Sequence, residues 1–185
     1  MHPNTKPDDL EGIKERLIER GVVIQIPTQR LSDVHGLNEM KDKFFTLFVL
    51  PLLEPEIYEG DFFLIEDIQV VRNILIKEPH NKGLGHFIRA FAGEYGFHLI
   101  TLDGRRLMNR NYESLNKLSN DIKSLVVNLQ PSILFVRNMC VLGLPITSWC
   151  GVQESVSSCF QTDAPSVYTI IACSHRRDVI NTGCG

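Results

Sequence analysis

Apolar residues along this chain recur in two rhythms, and the switches between them mark its elements. Leu10, Ile13, Leu17 and Ile18 follow helical spacing, with Asp8 or Asp9 placed to cap the helix and Gly21 to end it. Val22 to Ile26 (VVIQI) is a short extended run before Pro27, and Leu37 to Val49 reads as a second helix stopped near Pro51. Beyond residue 70 the rhythm alternates. Val70 to Ile76 is strand-like, and Gly85 to Tyr95 is a helix through Phe87, Ala90 and Phe91, ended by Gly96. Phe97 to Leu102 is a second strand; Leu115, Leu118, Ile122, Leu125 and Val126 share one face of an amphipathic helix. Ser132 to Val136 is a third strand, Val152 to Phe160 a weaker helix and Ser166 to Ala172 a fourth strand.

Strands alternating with helices at this spacing predict βαβ units, hence an α/β fold with a parallel sheet covered on both faces. Composition agrees, since 185 residues with 43% hydrophobic and 22% charged side chains are ordinary for a globular chain. The longest apolar run, Phe44 to Leu53, has ten residues and contains a proline. Crossing a bilayer takes about 20, so no transmembrane segment is expected. The polar start MHPNTKPDDLEG does not resemble a signal peptide, and the expected setting is intracellular, cytoplasmic or nuclear.

The five cysteines, Cys140, Cys150, Cys159, Cys173 and Cys184, are odd in number and lack C-x-x-C spacing, which favours free thiols over a disulfide framework. A zinc site from Cys173, His175 and Cys150 or Cys159 matches no recognised spacing, so no metal is assigned. The net charge of −3 conceals an asymmetry: residues 1–70 carry 7 basic and 14 acidic side chains, residues 71–124 carry 9 and 5. The basic middle segment suits phosphate or an acidic partner as well as a solvated helix face. Nothing in it indicates nucleic acid.

In parallel α/β folds, phosphates bind where a loop leaves a buried strand and opens a helix, because backbone N–H groups and the helix dipole point at the anion. Here that loop is Lys77 to Gly85, KEPHNKGLG. A working phosphate loop reads G-x-x-x-x-G-K-[ST], with glycines for curvature, lysine for charge and a hydroxyl for magnesium.

Four stretches taken together resemble the AAA family of ATPases: Leu31 to Gly60, Ile74 to Asn109 (with RAFAGEYG), Leu129 to Gly143 (LQPSILFVRNMCVLG) and Val167 to Ile180 (VYTIIACSHRRDVI). The resemblance covers roughly residues 31 to 181, leaving 1–30 as a lead-in helix and linker and 31–185 as the nucleotide-binding core. It implies a P-loop NTPase-like three-layer core with strand order 5-1-4-3-2. The fifth strand and the helical lid would fall past Gly185, so four strands are expected, with Val70 to Ile76 an exposed edge open to a partner strand or to the chain's own Val22 to Ile26.

Placed by that resemblance, the phosphate loop spans Pro79, His80, Asn81, Lys82, Gly83, Leu84, Gly85 and His86. Its first glycine falls on Glu78, its lysine on Leu84 and its magnesium-binding hydroxyl on Gly85. The acidic pair that would hold magnesium and activate water corresponds to Arg137 and Asn138, and the polar sensor to His175. Val34 and Gly36 correspond to adenine contacts, and Tyr112 lies beside the pore-loop aromatic position at Asn111. A guanidinium does not ligate a cation, and an amide is no base at neutral pH. Loss of the base alone costs about 10²- to 10⁴-fold in rate.

These residues lead to the expectation of a chain inactive in ATP hydrolysis that acts as a binding or regulatory pseudo-ATPase, with no cofactor or with ATP or ADP held without magnesium, Arg137 supplying the charge. Its partners would be an AAA-type oligomer or a protein at the exposed strand. A weak or atypical ATPase and a decayed fragment without selected activity are the competing readings. The branch containing katanin and spastin and the second ring of peroxisomal and valosin-containing relatives both fit the linker.

Overall fold

A computed structural model of the chain describes residues 7–55, 71–77, 83–107, 112–138, 164 and 166–173. Helix α1 (Pro7–Glu19) leads through Gly21, at φ 80°, into strand β1 (Val23–Gln25). A 3-10 turn (Leu31–Asp33) precedes α2 (Asn38–Phe44), a π-helical turn (Phe45–Val49) and α3 (Leu50–Leu53). Strand β2 (Asn73–Lys77), α4 (Leu84–Tyr95), β3 (His98–Asp103), a 3-10 turn (Gly104–Leu107), α5 (Tyr112–Asn128), β4 (Ser132–Arg137) and β5 (Val167–Cys173) complete it.

The five strands form one sheet in the order β1-β3-β4-β5-β2. Strands β3, β4, β5 and β2 pair in parallel, and β1 runs antiparallel to β3 with Val23 opposite Thr101. From β2 the chain crosses to β3 and then steps back through β4 to β5. Right-handed crossovers taken in opposite directions put their helices on opposite faces. Accordingly, Phe87, Phe91 and Ala90 of α4 pack with Leu99, Ile133, Phe135 and Tyr168, while Leu118, Ile122, Leu125 and Val126 of α5 pack with Ile100, Leu102, Leu134 and Val136. Alternate residues of each strand thus serve the two faces. The result is a three-layer α/β fold, and the unbroken burial of Ser132 to Val136 explains why that strand reads as a continuous apolar run.

Four expectations need correction. The sheet has five described strands rather than four, because β1 joins it. The Val22 to Ile26 segment does not cover the β2 edge; it pairs with β3 at the opposite end of the sheet. The first parallel strand begins at Asn73 instead of Val70, where register with β5 starts at Thr169. Finally, helix continues past Pro51 to Leu53. Proline clashes with the carbonyl four residues back and lacks an N–H; the π turn just before it changes the bonding pattern at that point.

The ten-residue apolar run is core-forming: Phe44, Phe48 and Val49 are buried in the α4-side cluster. Phe44 meets Phe48, Phe87 and Phe91 edge-on at centroid distances of 5.0, 4.9 and 5.4 Å. The segment after β1 is held against the end of α4, where Arg30 Nη1 donates to the carbonyls of Gly93 (2.7 Å) and Glu94 (3.2 Å), and the Leu31 N–H donates to Glu94 Oε2 (3.1 Å). That approach requires glycine, since a Cβ at residue 93 would stand 2.2 Å from the Gln29 carbonyl oxygen. On the other face, Arg16 and Arg20 reach Asp121 of α5 at 3.0 and 3.6 Å, joining α1 to the sheet's covering helix. No described helix is long and apolar enough to cross a membrane.

Candidate functional site

Because the stepping direction reverses across the sheet, a crevice opens at the C-terminal ends of its parallel strands, the place where such folds bind ligands. A cavity of about 400 Å³ lies there. Gly83 to His86 at the start of α4 form one wall, Arg89 stands one turn on, and Phe135, Arg137, Asn138 and Ala172 contribute from β4 and β5. Gly83 is left-handed at φ 88°, which suits glycine, and its carbonyl accepts the Phe87 N–H at 2.9 Å. The first N–H groups of a helix lack internal acceptors, so this end carries partial positive charge.

Across the cavity, Asp103 and Arg137 end β3 and β4 in register. Arg105 grips the Asp103 carboxylate through Nε (3.0 and 3.2 Å) and Nη2 (2.6 Å), and its backbone N–H adds a bond of 3.0 Å. Asn138 Nδ2 donates to both carboxylate oxygens at 3.1 Å, and Arg137 Nη2 lies 3.5 Å from Oδ2. Asn138 reaches back from a left-handed backbone at φ 59°, a conformation asparagine tolerates. Arg105 foremost, then Asn138 and the Arg105 N–H, holds Asp103 well below the usual carboxylate range against an opposing push from burial. The same contact raises Arg105.

Of the residues singled out from sequence, Gly83, Leu84, Gly85, His86, Arg137 and Asn138 come together here. Leu84 is buried at 4% exposure, part of the core rather than of the phosphate wall's charge. Val34 is buried in the same cluster, and His86 Nε2 lies 3.4 Å from the Asp33 carbonyl, so the turn carrying Val34 sits beside the helix start. Gly36 is an exposed left-handed glycine at φ 73°, and neither it nor Val34 is in the cavity's described lining. Glu78, Pro79, His80, Asn81, Lys82, Asn111, His175 and the expected helix Val152 to Phe160 lie outside the described residues, as do Cys140, Cys150, Cys159 and Cys184 and the side chains of Tyr112 and Cys173.

Sequence reasoning missed Asp103, Arg105 and Arg89. Their signal was a charged cluster, Asp103-Gly104-Arg105-Arg106, directly after an apolar strand, and an arginine one turn into the helix that follows the loop.

The outer mitochondrial transmembrane helix translocase of Danio rerio is 31% identical over 104 residues, 56% of this chain and 28% of that protein. ATPase family gene 2 protein homolog A of Homo sapiens is 25% identical over 170 residues, 88% of this chain and 18% of that protein. A chain from a solved structure concerned with katanin self-assembly superposes with a TM-score of 0.61 at 22% identity, covering 88% of this chain and 52% of that one. The chain is a relative of the AAA-type ATPases. It spans little more than a quarter of the translocase's length, 28%. No protein-family model matches it.

AAA-type ATPases use magnesium with their nucleotide, and the described donor set does not fit that ion. Asp103 is the one carboxylate at these strand ends among the described lining residues, and Arg105 and Asn138 already occupy its oxygens. Arg137 offers only donors. Among the described residues no group of three or more histidine, cysteine, aspartate or glutamate side chains is placed to hold a metal.

Proposed function

We propose that this chain is a non-hydrolysing member of the AAA-type fold, a binding or regulatory pseudo-ATPase whose strand-end cavity takes the phosphates of ATP or ADP without magnesium. The observation that carries the reading is the position of Arg137. It projects from the end of β4 into the cavity facing the start of α4, 49% exposed at its side chain, with Arg89 and Arg105 alongside. Guanidinium groups there supply the charge that a divalent cation supplies in an active ATPase, and they bind phosphate oxygens through paired N–H donors. Leu84 and Gly85 bring neither cation nor hydroxyl, and Asn138 is engaged with Asp103, which favours binding over bond cleavage.

Calorimetric titration of the full chain with ATP and ADP, in chelator and in magnesium, tests this. The expected result is binding that magnesium leaves unchanged or weakens, lost in Arg137→Asp, with no steady phosphate release. Magnesium-dependent binding, or turnover above the protein-free rate, overturns it. The protein-binding aspect of the same reading rests on β2, which among the described residues pairs on one side only, with β5, and so offers an edge to an added strand.

A further inference from the structure

A second cavity, about 390 Å³, adjoins the first and is lined by Gly21, Val23, Thr101, Arg106 and the three side chains Asp103, Arg105 and Arg137. Thr101 and Asp103 lie two and four residues from Leu99, and Arg137 two from Phe135; Leu99 and Phe135 both belong to the α4-side cluster. Both cavities therefore open on the same face of the sheet, one over β5 and β4 and the other over β3 and β1. With strands about 4.8 Å apart, the crossing from β5 to β1 is about 14 Å.

We infer that these cavities form one groove for a linear chain of phosphates, in which Arg105 and Arg137 are shared and Arg106 holds the end remote from α4. This extends the phosphate-binding reading above and partly rests on it.

Three observations carry the extension. First, among the described lining residues Arg89, Arg105, Arg106 and Arg137 stand against a single carboxylate, Asp103. Second, Arg106 has a place prepared for it: Gly21 is left-handed at φ 80°, and a Cβ there would stand 2.2 Å from Arg106 Nη1. Third, Arg105 is fixed where the two cavities meet by its Nε and Nη2 bonds to Asp103, and its side chain is 61% exposed, so its charge faces a ligand lying there.

The lining also selects among polyanions. Its described residues offer guanidinium donors, the Thr101 hydroxyl and the first N–H groups of α4, with few acceptors, which suits a ligand made only of acceptors. A peptide would bring N–H donors in need of partners. A single-stranded nucleic acid would call for a run of aromatic faces on which bases stack, and the described lining holds Phe135 and His86 in the first cavity and no ring in the second.

The test compares inorganic orthophosphate with tripolyphosphate by calorimetry on the full chain in chelator. Joining two sites raises affinity without new contacts, and tripolyphosphate is expected to bind about tenfold or more tighter than orthophosphate. Arg106→Ala removes that gain and leaves orthophosphate unchanged. Val23→Glu, which sets a carboxylate into the second cavity from a half-exposed position on β1, does the same without touching an arginine. Arg89→Ala weakens orthophosphate.

If tripolyphosphate binds no better than orthophosphate, or if both substitutions leave its affinity intact, the extension fails while the first cavity's reading stands. If orthophosphate and ATP fail to bind yet tripolyphosphate still depends on Arg106, the first reading fails and the second cavity remains. Absence of tripolyphosphate binding, or tighter binding of triglutamate or an oligothymidylate, overturns the phosphate-chain groove.

Discussion

Asn138 donates its amide to both carboxylate oxygens of Asp103 at 3.1 Å, from one parallel strand's end to the next. Together with Arg105 it turns the acidic residue at this crevice into the anchor of two guanidinium groups. In Asp103→Asn the anchor is neutral, and the charges of Arg105 and Arg137 are no longer partly offset by a carboxylate at the crevice. Orthophosphate affinity is expected to rise several-fold, read by titration calorimetry, and unfolding stability to fall by about 1–2 kcal/mol, the low end because Arg105 is 61% exposed.

The stability that Asp103 contributes depends on pH in a definite direction. Its pKa is lower in the folded than in the unfolded chain, chiefly because Arg105 binds the ionised form. The unfolded chain therefore takes up the proton first as pH falls, and the contribution, complete above about pH 5, declines below the unfolded-state value of about 3.9. Denaturant unfolding at pH 7 and at pH 3 should show the gap between wild type and Asp103→Asn narrowing in acid. A gap that widens there contradicts the assignment.

Gly93 is expected to tolerate no side chain. In Gly93→Ala the new Cβ meets the carbonyl oxygens of Gln29 and Pro27 at 2.2 and 2.8 Å, both backbone atoms, so the segment carrying Arg30 must move off α4. A loss of about 1–3 kcal/mol is expected, and thermal unfolding should fall by about 2–4 °C per kcal/mol for a chain of this size. Gly85→Ala is the contrast, because its Cβ would stand 3.9 Å from Phe135 Cε1 and fits without displacement.

Phe91 joins the helices to the sheet on the α4 side. Its ring lies 5.4 Å from Phe44, 5.0 Å from Tyr95 and 6.1 Å from Phe97, and the residue is fully buried. Phe91→Ala should cost about 3–5 kcal/mol by denaturant titration, against less than about 1 kcal/mol for truncating the exposed Ile18 on α1.

Local rhythm alone specified the alternation of strands and helices from β2 to β4, the strand at β5, the buried face of α5 and the stop at Gly96, which adopts φ 72° as its lack of a Cβ allows. These features are legible because each depends on neighbours in sequence: a helical stripe, a run of β-branched residues, a glycine in its turn. Arg137 and Asn138 were legible as the residues at a strand end, but their partner was not, since Asp103 lies 35 positions from Asn138 and meets it only when β3 and β4 pair.

Tertiary structure decided the rest, because pairing and packing join residues that no short window contains. It put Val23–Gln25 on the outer side of β3 instead of beside β2, where a three-residue strand has no intrinsic preference between two sheet edges. It let helix persist through Pro51, with Phe44 and Phe48 buried against Phe87, Phe91 and Tyr168. It also gathered Arg89, Arg105, Arg106 and Arg137, spread over three separate stretches of chain, onto one face at the ends of the parallel strands. Sequence determined which charges this protein carries; the order of its strands determined that they face one another across a single crevice.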